Sequence, residues 1–382
     1  MTAAAGRALH AVQLSFFRDP LERRPLELLA AWPTLVDVAQ AASQAGVTVS
    51  VVQACTHIQT LLEGGVHYHF LPFGAGGARG LAALERLLQD LRPDVLHVHG
   101  LAFPRESAAL ARLAPRIPVI VQDHASRPPP FWRRALWRRG LARAGAVAFC
   151  AREQARPFIE TRILNPGTPV YEIPESTSRF AAGDRQEARR ETGVTGEPAL
   201  LWVGHLDENK DPLTVLAGVG AAIRALPDLR LYCCFGTAPL LGAVRARIDA
   251  DPELRGRVQL LGRVPHERVE ELMRAADVFV LGSHHEGSGY SLIEALACGL
   301  PPVVTDIPSF RALTGRGAVG RLWPCGDAAA LTRSLVAAAQ AGPAVRTAVR
   351  GHFELELSFA AVGRKLSTMY AEVSERPGAP AD

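Results

Sequence analysis

The sequence predicts a two-domain α/β fold in which each domain is a doubly wound, Rossmann-like sheet. Three observations predict it. Short, β-branched apolar runs alternate with helical stretches in the first half, the same rhythm restarts in the second half, and a proline- and glycine-rich break lies between them. The ligand of such an architecture is expected in the cleft between the domains, beyond the carboxyl ends of the strands.

The strands of the first half are expected at residues 9–14, 47–52, 67–71, 95–98, 119–121 and 146–149, with helices such as 35–45 and 81–91 between them. Runs like Val-Thr-Val-Ser-Val-Val at 47–52 suit parallel strands covered by helices on both faces. The break falls within 164–197, where Pro166, Gly167, Pro169, Pro174, Gly183, Gly193 and Gly196 accumulate. Strands are expected again at 199–203, 230–235, 258–261, 278–281 and 302–304, and helices at 212–225, 239–250, 267–275, 291–298 and 328–339. A final helix near 359–373 carries Val362, Leu366, Met369 and Tyr370 on an apolar stripe and is expected to cross back to the first domain. The domain bounds that follow are 1–175, a linker at 176–198, 199–355, and the terminal helix and tail at 356–382.

Composition narrows the function classes. The 382 residues suffice for two cores, and 48% hydrophobic against 21% charged residues marks a globular chain. A net charge of +4 with scattered arginines admits an anionic ligand without pointing to nucleic acid. The six cysteines form no C-x-x-C pair, so neither a zinc site nor a thioredoxin motif is suggested. No apolar run reaches membrane-spanning length and residues 1–17 lack a signal-peptide core, so the chain is expected in the cytoplasm.

The richest motif runs from Asp277 to Glu294. An apolar strand leads into a polar loop holding Glu286, Gly287, Ser288 and Gly289, and a helix then begins near Tyr290 with Ser291 and Glu294 in its first turns. Gly287 and Gly289 let the backbone approach a ligand closely. The helix-start amides face any bound diphosphate, and carboxylates accept hydrogen bonds from sugar and ribose hydroxyls. A second strand-end loop, Val203 to Pro212, offers Gly204 for a tight turn and Lys210 as a mobile positive charge for phosphate.

The stretch 277–294 resembles the E-x7-E signature of retaining GT-B glycosyltransferases of family 4. The run Gly299 to Asp306 is similar to the G-x-P-V-V-x-[ST]-D segment that follows it. The resemblance implies transfer of a sugar from a nucleotide-diphosphate sugar to an acceptor with retention of anomeric configuration, without a metal or other cofactor. It implies that Glu286 contacts the donor sugar and supports the reacting centre, that Glu294 binds the ribose diol, and that Lys210 neutralises the leaving diphosphate. Arg263 and Val264, after the turn glycine Gly262, match residues lying against the nucleobase. His124 matches a histidine that contacts the donor sugar near the reacting carbon. His99 and Arg18 are candidates on the acceptor side. Closure of the two domains would exclude water.

Three departures qualify the resemblance. His205 stands where an arginine is common in the family. The loop from Phe17 to Pro25, with Trp32 beyond it, replaces the usual Gly-Gly turn, and Ile307 to Ser309 replaces another glycine pair. The acceptor is expected to be a saccharide, a lipid-linked sugar or a small molecule. Two other readings keep the same residues: a nucleotide-sugar epimerase on this fold, or a catalytically silent nucleotide-sugar-binding subunit.

Other features carry less. The glycine-rich stretch 74–80 is one residue out of step with a dinucleotide fingerprint and reads as a loop. Asp249 and Asp251 form a D-x-D at a helix end and read as solvated, so no metal is expected. In the stretch 131–139 the arginines spread around the helix rather than onto one face, which leaves only peripheral contact with the inner face of a membrane open.

Overall fold

The computed structural model describes residues 8–73 and 78–376, with the side chains of Ala78 and Arg79 left aside; most of the glycine-rich stretch 74–80 thus lies outside the described residues. The chain divides into two compact units. One holds the residues up to Thr177 together with those from Phe359 onward, and the other runs from Ser178 to Ser358.

Among its described residues the first unit has eight strands: β1 (His10–Ser15), β2 (Thr48–Ala54), β3 (Gln59–Glu63), β4 (Val66–Leu71), β5 (Val95–His99), β6 (Val119–Gln122), β7 (Ala144–Phe149) and β8 (Val170–Glu172). Their order is β3-β4-β2-β1-β5-β6-β7-β8, and every pairing is parallel except β3 with β4. Parallel strands need cover on both faces. Residues such as Val12, Leu14, Val51, Val98 and Ile120 are accordingly buried. The sequence reading contains no β3. Its hairpin with β4 turns on Gly64 and Gly65, both at positive φ, which is the backbone a two-residue hairpin demands.

The second unit is a six-stranded parallel sheet: β9 (Ala199–Val203), β10 (Arg230–Cys234), β11 (Val258–Gly262), β12 (Val278–Leu281), β13 (Pro302–Thr305) and β14 (Arg321–Trp323). The order is β11-β10-β9-β12-β13-β14. Consecutive strands lie to one side of β9 and later ones to the other, so the order reverses between β9 and β12. The first unit reverses in the same way between β1 and β5. Loops leaving the two strands at such a point splay apart and open a crevice, where doubly wound sheets bind ligands.

The stretch 176–198 is not a plain linker. It contains the helix Arg185–Thr192, capped at its start by Asp184, whose side chain accepts from the Glu187 amide at 2.7 Å, and at its end by Gly193 at φ 71°. This helix packs on the helix His266–Ala275, and Arg189 reaches Asp277 at 2.7 Å. Asp277 also accepts from the Ala199 amide at 2.8 Å, tying the starts of β9 and β12 to this segment. Proline and glycine mark the ends of an element here, and its polar surface hides the helix from a search for apolar periodicity.

The helix Phe359–Ser374 packs against the helix Pro33–Gln44 of the first unit. Val362, Leu366, Met369, Tyr370 and Val373 are fully buried there. The Tyr370 hydroxyl receives the Gln13 side-chain amide at 3.1 Å and meets His97 Nδ1 at 2.7 Å. Among the described residues, no helix is long and apolar enough to cross a membrane.

Candidate active site

In the second unit the two sharpest sequence motifs arrive at one place. The loop after β9 carries Gly204, His205 and Lys210, the loop after β12 carries Glu286 to Gly289, and these two strands flank the reversal of the sheet. The loops are stitched together through backbone. His284 N–H donates to Asn209 O at 2.8 Å, and the Asn209 side-chain amide donates to His285 O at 2.9 Å. The His284 ring meets Asp211 at 3.1 Å, and the Asp207 side chain accepts from the Lys210 amide at 2.9 Å. Against this frame Lys210 Nζ forms an ion pair with Glu286 Oε1, the two side chains being 15% and 13% exposed.

Gly289 opens the helix Tyr290–Ala297 at φ 80°. A Cβ at this position would lie 2.6 Å from the Phe310 ring, so no other residue fits without displacing it. Ser288 is buried and Tyr290 is exposed. One turn into the helix, Glu294 Oε1 meets His266 Nε2 at 2.6 Å. That hydrogen bond is the main cause of a raised His266 pKa, with burial working against it and the charges of Glu294, Glu267 and Glu270 in favour. The sequence reading does not contain His266. It is the first residue of the helix His266–Ala275, just beyond Arg263 and Val264, and Phe180 packs against its ring at 4.6 Å between centroids.

His205 Nδ1 accepts the Thr237 amide at 3.2 Å, which leaves Nε2 as the hydrogen-bearing nitrogen of a neutral ring. A Cβ on Gly236 would stand 3.4 Å from that ring and 3.6 Å from Arg263 Nη2. The His205 imidazole and the Arg263 guanidinium thus border the same small space. Asp251, of the D-x-D pair, closes the helix Leu241–Ala250 and pairs with Arg247 at 2.8 Å. Among the described residues, no group of three or more His, Cys, Asp or Glu side chains is placed to hold a metal ion.

The first unit carries a second constellation, beside its own sheet reversal. A pocket of about 390 Å³ opens beyond the ends of β1 and β5, walled by Phe17, Trp32, Leu35 and Phe103, with Ser15, Thr34 and Ser126 at its edges and His99, His124 and Glu175 as its titratable side chains. Among the described residues, its lining contains no Lys or Arg. Arg18 is not part of that lining; it borders a small hollow with Asp19, Glu22 and Cys55 and reaches Phe73 O at 3.4 Å.

The histidines form a chain. His99 Nδ1 meets His124 Nε2 at 3.1 Å, and His124 Nδ1 meets Glu175 Oε2 at 3.1 Å. Both ring nitrogens of His124 are therefore engaged inside this unit, so a contact with a donor sugar requires one of them to be released. Burial pulls the His124 pKa down, but the Glu175 hydrogen bond and the charges of Glu175 and Asp123 outweigh it and the net shift is upward. His99 is held well below its ordinary value by burial and by the neighbouring histidines, and His97 is pushed down to about 3. Asp123 is pushed up to about 6 by burial and by Glu175. Glu175 and Asp123 are absent from the sequence reading, and no motif marks Glu175. Only the order of the sheet, with β8 at the edge beyond β6 and β7, returns the chain to His124.

Comparison with known proteins now bears on both constellations. A family model described as Glycosyltransferase Family 4 matches residues 33–174, and one described as Glycosyl transferases group 1 matches residues 197–341. The chain belongs to glycosyltransferase family 4. Similar curated proteins include a GDP-mannose:cellobiosyl-diphosphopolyprenol alpha-mannosyltransferase of Xanthomonas oryzae pv. oryzae, 29% identical over 59% of this chain and 60% of its own length. Another is a 2-deoxystreptamine N-acetyl-D-glucosaminyltransferase of Streptomyces fradiae, 29% identical over 71% of this chain and 67% of its own. The matched stretch thus spans about three fifths of the first of these relatives. Among solved structures, a glycosyltransferase from Rickettsia africae superposes with a TM-score of 0.74 at 13% identity, covering 97% of this chain and 99% of that one. Anabaena HepE in complex with UDP and glucose gives 0.71 at 15% identity, covering 95% and 100%. At such identities the likeness establishes the fold, GT-B.

Proposed function

We propose that this family 4 member transfers a sugar from a nucleotide-diphosphate sugar to a hydroxyl-bearing acceptor, with retention of configuration and without a metal. The observation that carries the reading is the Lys210–Glu286 pair beside the start of the helix Tyr290–Ala297, at the reversal of a parallel sheet. An arriving diphosphate competes with Glu286 for Lys210. The lysine then faces phosphate, and the freed carboxylate faces the hydroxyls of the donor sugar. Amides at the helix start add fixed positive dipoles, so charge growing on the leaving group is stabilised without reorganisation.

The remaining donor residues follow from their places. Glu294, held by His266, takes the ribose diol, and Gly262, Arg263 and Val264 lie where the base would rest. His205 supplies a neutral hydrogen bond where relatives commonly carry arginine, and we assign the missing positive charge to Arg263, which borders the same space at Gly236.

The acceptor is assigned to the aromatic pocket of the first unit. Walls of Phe17, Trp32 and Phe103 suit the apolar faces of a hydroxylated ring, and a lining without Lys or Arg among the described residues disfavours a phosphorylated one. We place the reaction in the cytoplasm, with contact to the inner membrane face through Phe131 and Trp132, which are 74% and 69% exposed.

A thermal-shift screen against UDP-, GDP- and ADP-sugars, followed by turnover with neutral, amino and phosphorylated cyclitols, tests the reading. A nucleotide sugar is expected to raise the melting temperature, and transfer to proceed in the presence of EDTA. Donor rearrangement with no acceptor present would replace this reading with an epimerase. Binding without turnover would leave a silent subunit.

A further inference from the structure

The Lys210–Glu286 ion pair has a companion between the same two loops. One residue after Lys210 and two before Glu286, the His284 ring meets the Asp211 carboxylate, Nε2 to Oδ2, at 3.1 Å. An uncommon backbone places Asp211 there. It sits at φ 50° and ψ 57°, in the left-handed region, just before Pro212 opens the helix Pro212–Ile223. Aspartate and asparagine tolerate that region better than other residues with a side chain, because their short polar groups can bond locally. Asp211 bonds at both oxygens. Oδ1 accepts the Thr214 amide at 3.2 Å and caps the helix, and Oδ2 takes His284.

The two loops lie against each other on both sides of this contact. A Cβ on Gly282 would stand 2.9 Å from Lys210 O and 3.3 Å from Asp211 O, so backbone abuts backbone there. Beyond it, His284 N–H donates to Asn209 O and the Asn209 side-chain amide donates to His285 O. The neighbours of Lys210 are thus held by the residues just before Glu286. These ties differ in what a donor does to them. An arriving diphosphate that takes Lys210 from Glu286 breaks the charged bridge between the loops. The His284–Asp211 contact uses neither of those groups and outlasts the exchange.

We propose that His284 and Asp211 are positioning residues for the donor. They form a clasp, anchored on the start of the helix Pro212–Ile223, that keeps Lys210 and the Glu286 loop in register after the donor has broken their ion pair. The inference rests on the transferase reading given above. It implies that the clasp matters unequally in the two states. In the free protein the Lys210–Glu286 pair ties the loops as well, and the His284 side chain is 44% exposed, so the clasp adds little to stability. In the donor-bound protein it carries a larger share of the tie.

The test uses the full chain, with calorimetric titration of UDP, GDP and ADP and kinetics with the nucleotide sugar that turns over fastest in the screen above. His284→Ala is expected to weaken binding of the preferred nucleoside diphosphate by about three- to tenfold and to raise the donor KM by the same factor, the scale of one net hydrogen bond. The acceptor KM should stay within about twofold, and the melting temperature without ligand within about 2 °C of the wild type. His284→Gln, whose amide can still donate to Asp211, should recover most of the affinity. Asp211→Gly removes the clasp while leaving the positive φ accessible. The double variant should bind no more weakly than Asp211→Gly alone, because the two side chains act through one contact. Unchanged nucleotide affinity and donor KM in His284→Ala, or losses that add in the double variant, would overturn the clasp. If Asp211→Gly fails to fold without its helix cap, the two His284 variants decide alone, and a loss that glutamine does not reduce overturns the clasp. A wild type that binds no nucleoside diphosphate would overturn the transferase reading and the clasp with it, whereas wild-type binding matched by His284→Ala overturns the clasp only.

Discussion

The two units use the ends of similar parallel sheets in opposite ways. In the second unit the loops after β9 and β12 hold Lys210 on Glu286, and the helices that follow β11 and β12 hold His266 on Glu294. In the first unit the ends of β5 and β6 hold histidines against one another inside an aromatic enclosure, and one carboxylate, Glu175, sets the charge of the row. An ion pair can be exchanged for a charged ligand at little net cost, because each partner regains an opposite charge or a hydroxyl from the ligand. A partly buried histidine row has no such exchange; it can orient a neutral ring. The contrast is what supports our proposal of the charged substrate for the second unit and an uncharged one for the first.

The largest effects should come from breaking the charged side. Glu286→Ala and Lys210→Ala are each expected to reduce transfer by about a hundredfold or more, in line with loss of one group that stabilises transition-state charge. Each variant also leaves its partly buried partner without an opposite charge, so a modest fall in melting temperature should accompany the loss. Full transfer activity in either variant would end the assignment.

How much of this contrast the sequence exposed follows from how each site is made. Glu286, Gly289 and Glu294 lie within one strand–loop–helix unit, and Lys210 lies in the loop of the neighbouring strand, so local spacing was enough to find them. His124 and His99 were visible only as strand-end histidines. Glu175 was not visible, because it is 51 residues from His124 in the sequence and reaches it through the packing of β6, β7 and β8. The sheets were legible because parallel strands are buried on both faces and read as continuous apolar runs. The hairpin strand β3 was not, since Gln59, Thr60, Leu62 and Glu63 are exposed at the sheet edge and carry no burial pattern. The helix Arg185–Thr192 escaped for the same reason, burying only Ala188.

Intermediate effects would sharpen the division of substrates. Arg263→Ala should raise the donor KM by about tenfold at unchanged acceptor KM, the loss of a charge-assisted contact of roughly 1.5 kcal/mol. His205→Ala should do less, since a neutral hydrogen bond is weaker. Trp32→Ala should show the converse, with acceptor KM raised by about three- to tenfold and donor KM unmoved, because aromatic contacts are worth roughly 0.5–1.5 kcal/mol beyond their area. If Arg263→Ala raised both constants alike, or Trp32→Ala raised the donor KM, the two units would not divide the substrates as described.

The smallest effect concerns the pH dependence of the His266–Glu294 pair. The folded state raises the His266 pKa above its ordinary value of 6.5, and hydrogen bonding to Glu294 is the main cause. The protonated ring is the form that the fold favours. Its contribution to stability is therefore complete below the unfolded value and is lost as pH rises through the raised, folded value. The His266 side chain is 57% exposed, so solvent screens the pair and the contribution should not exceed about 0.5 kcal/mol. Melting temperatures of wild type and His266→Ala should accordingly differ most near pH 5.5 and converge by pH 9. A gap that widened with pH would show that Glu294 is not what holds the imidazole, and the carboxylate proposed for the ribose would lose the partner assigned to it.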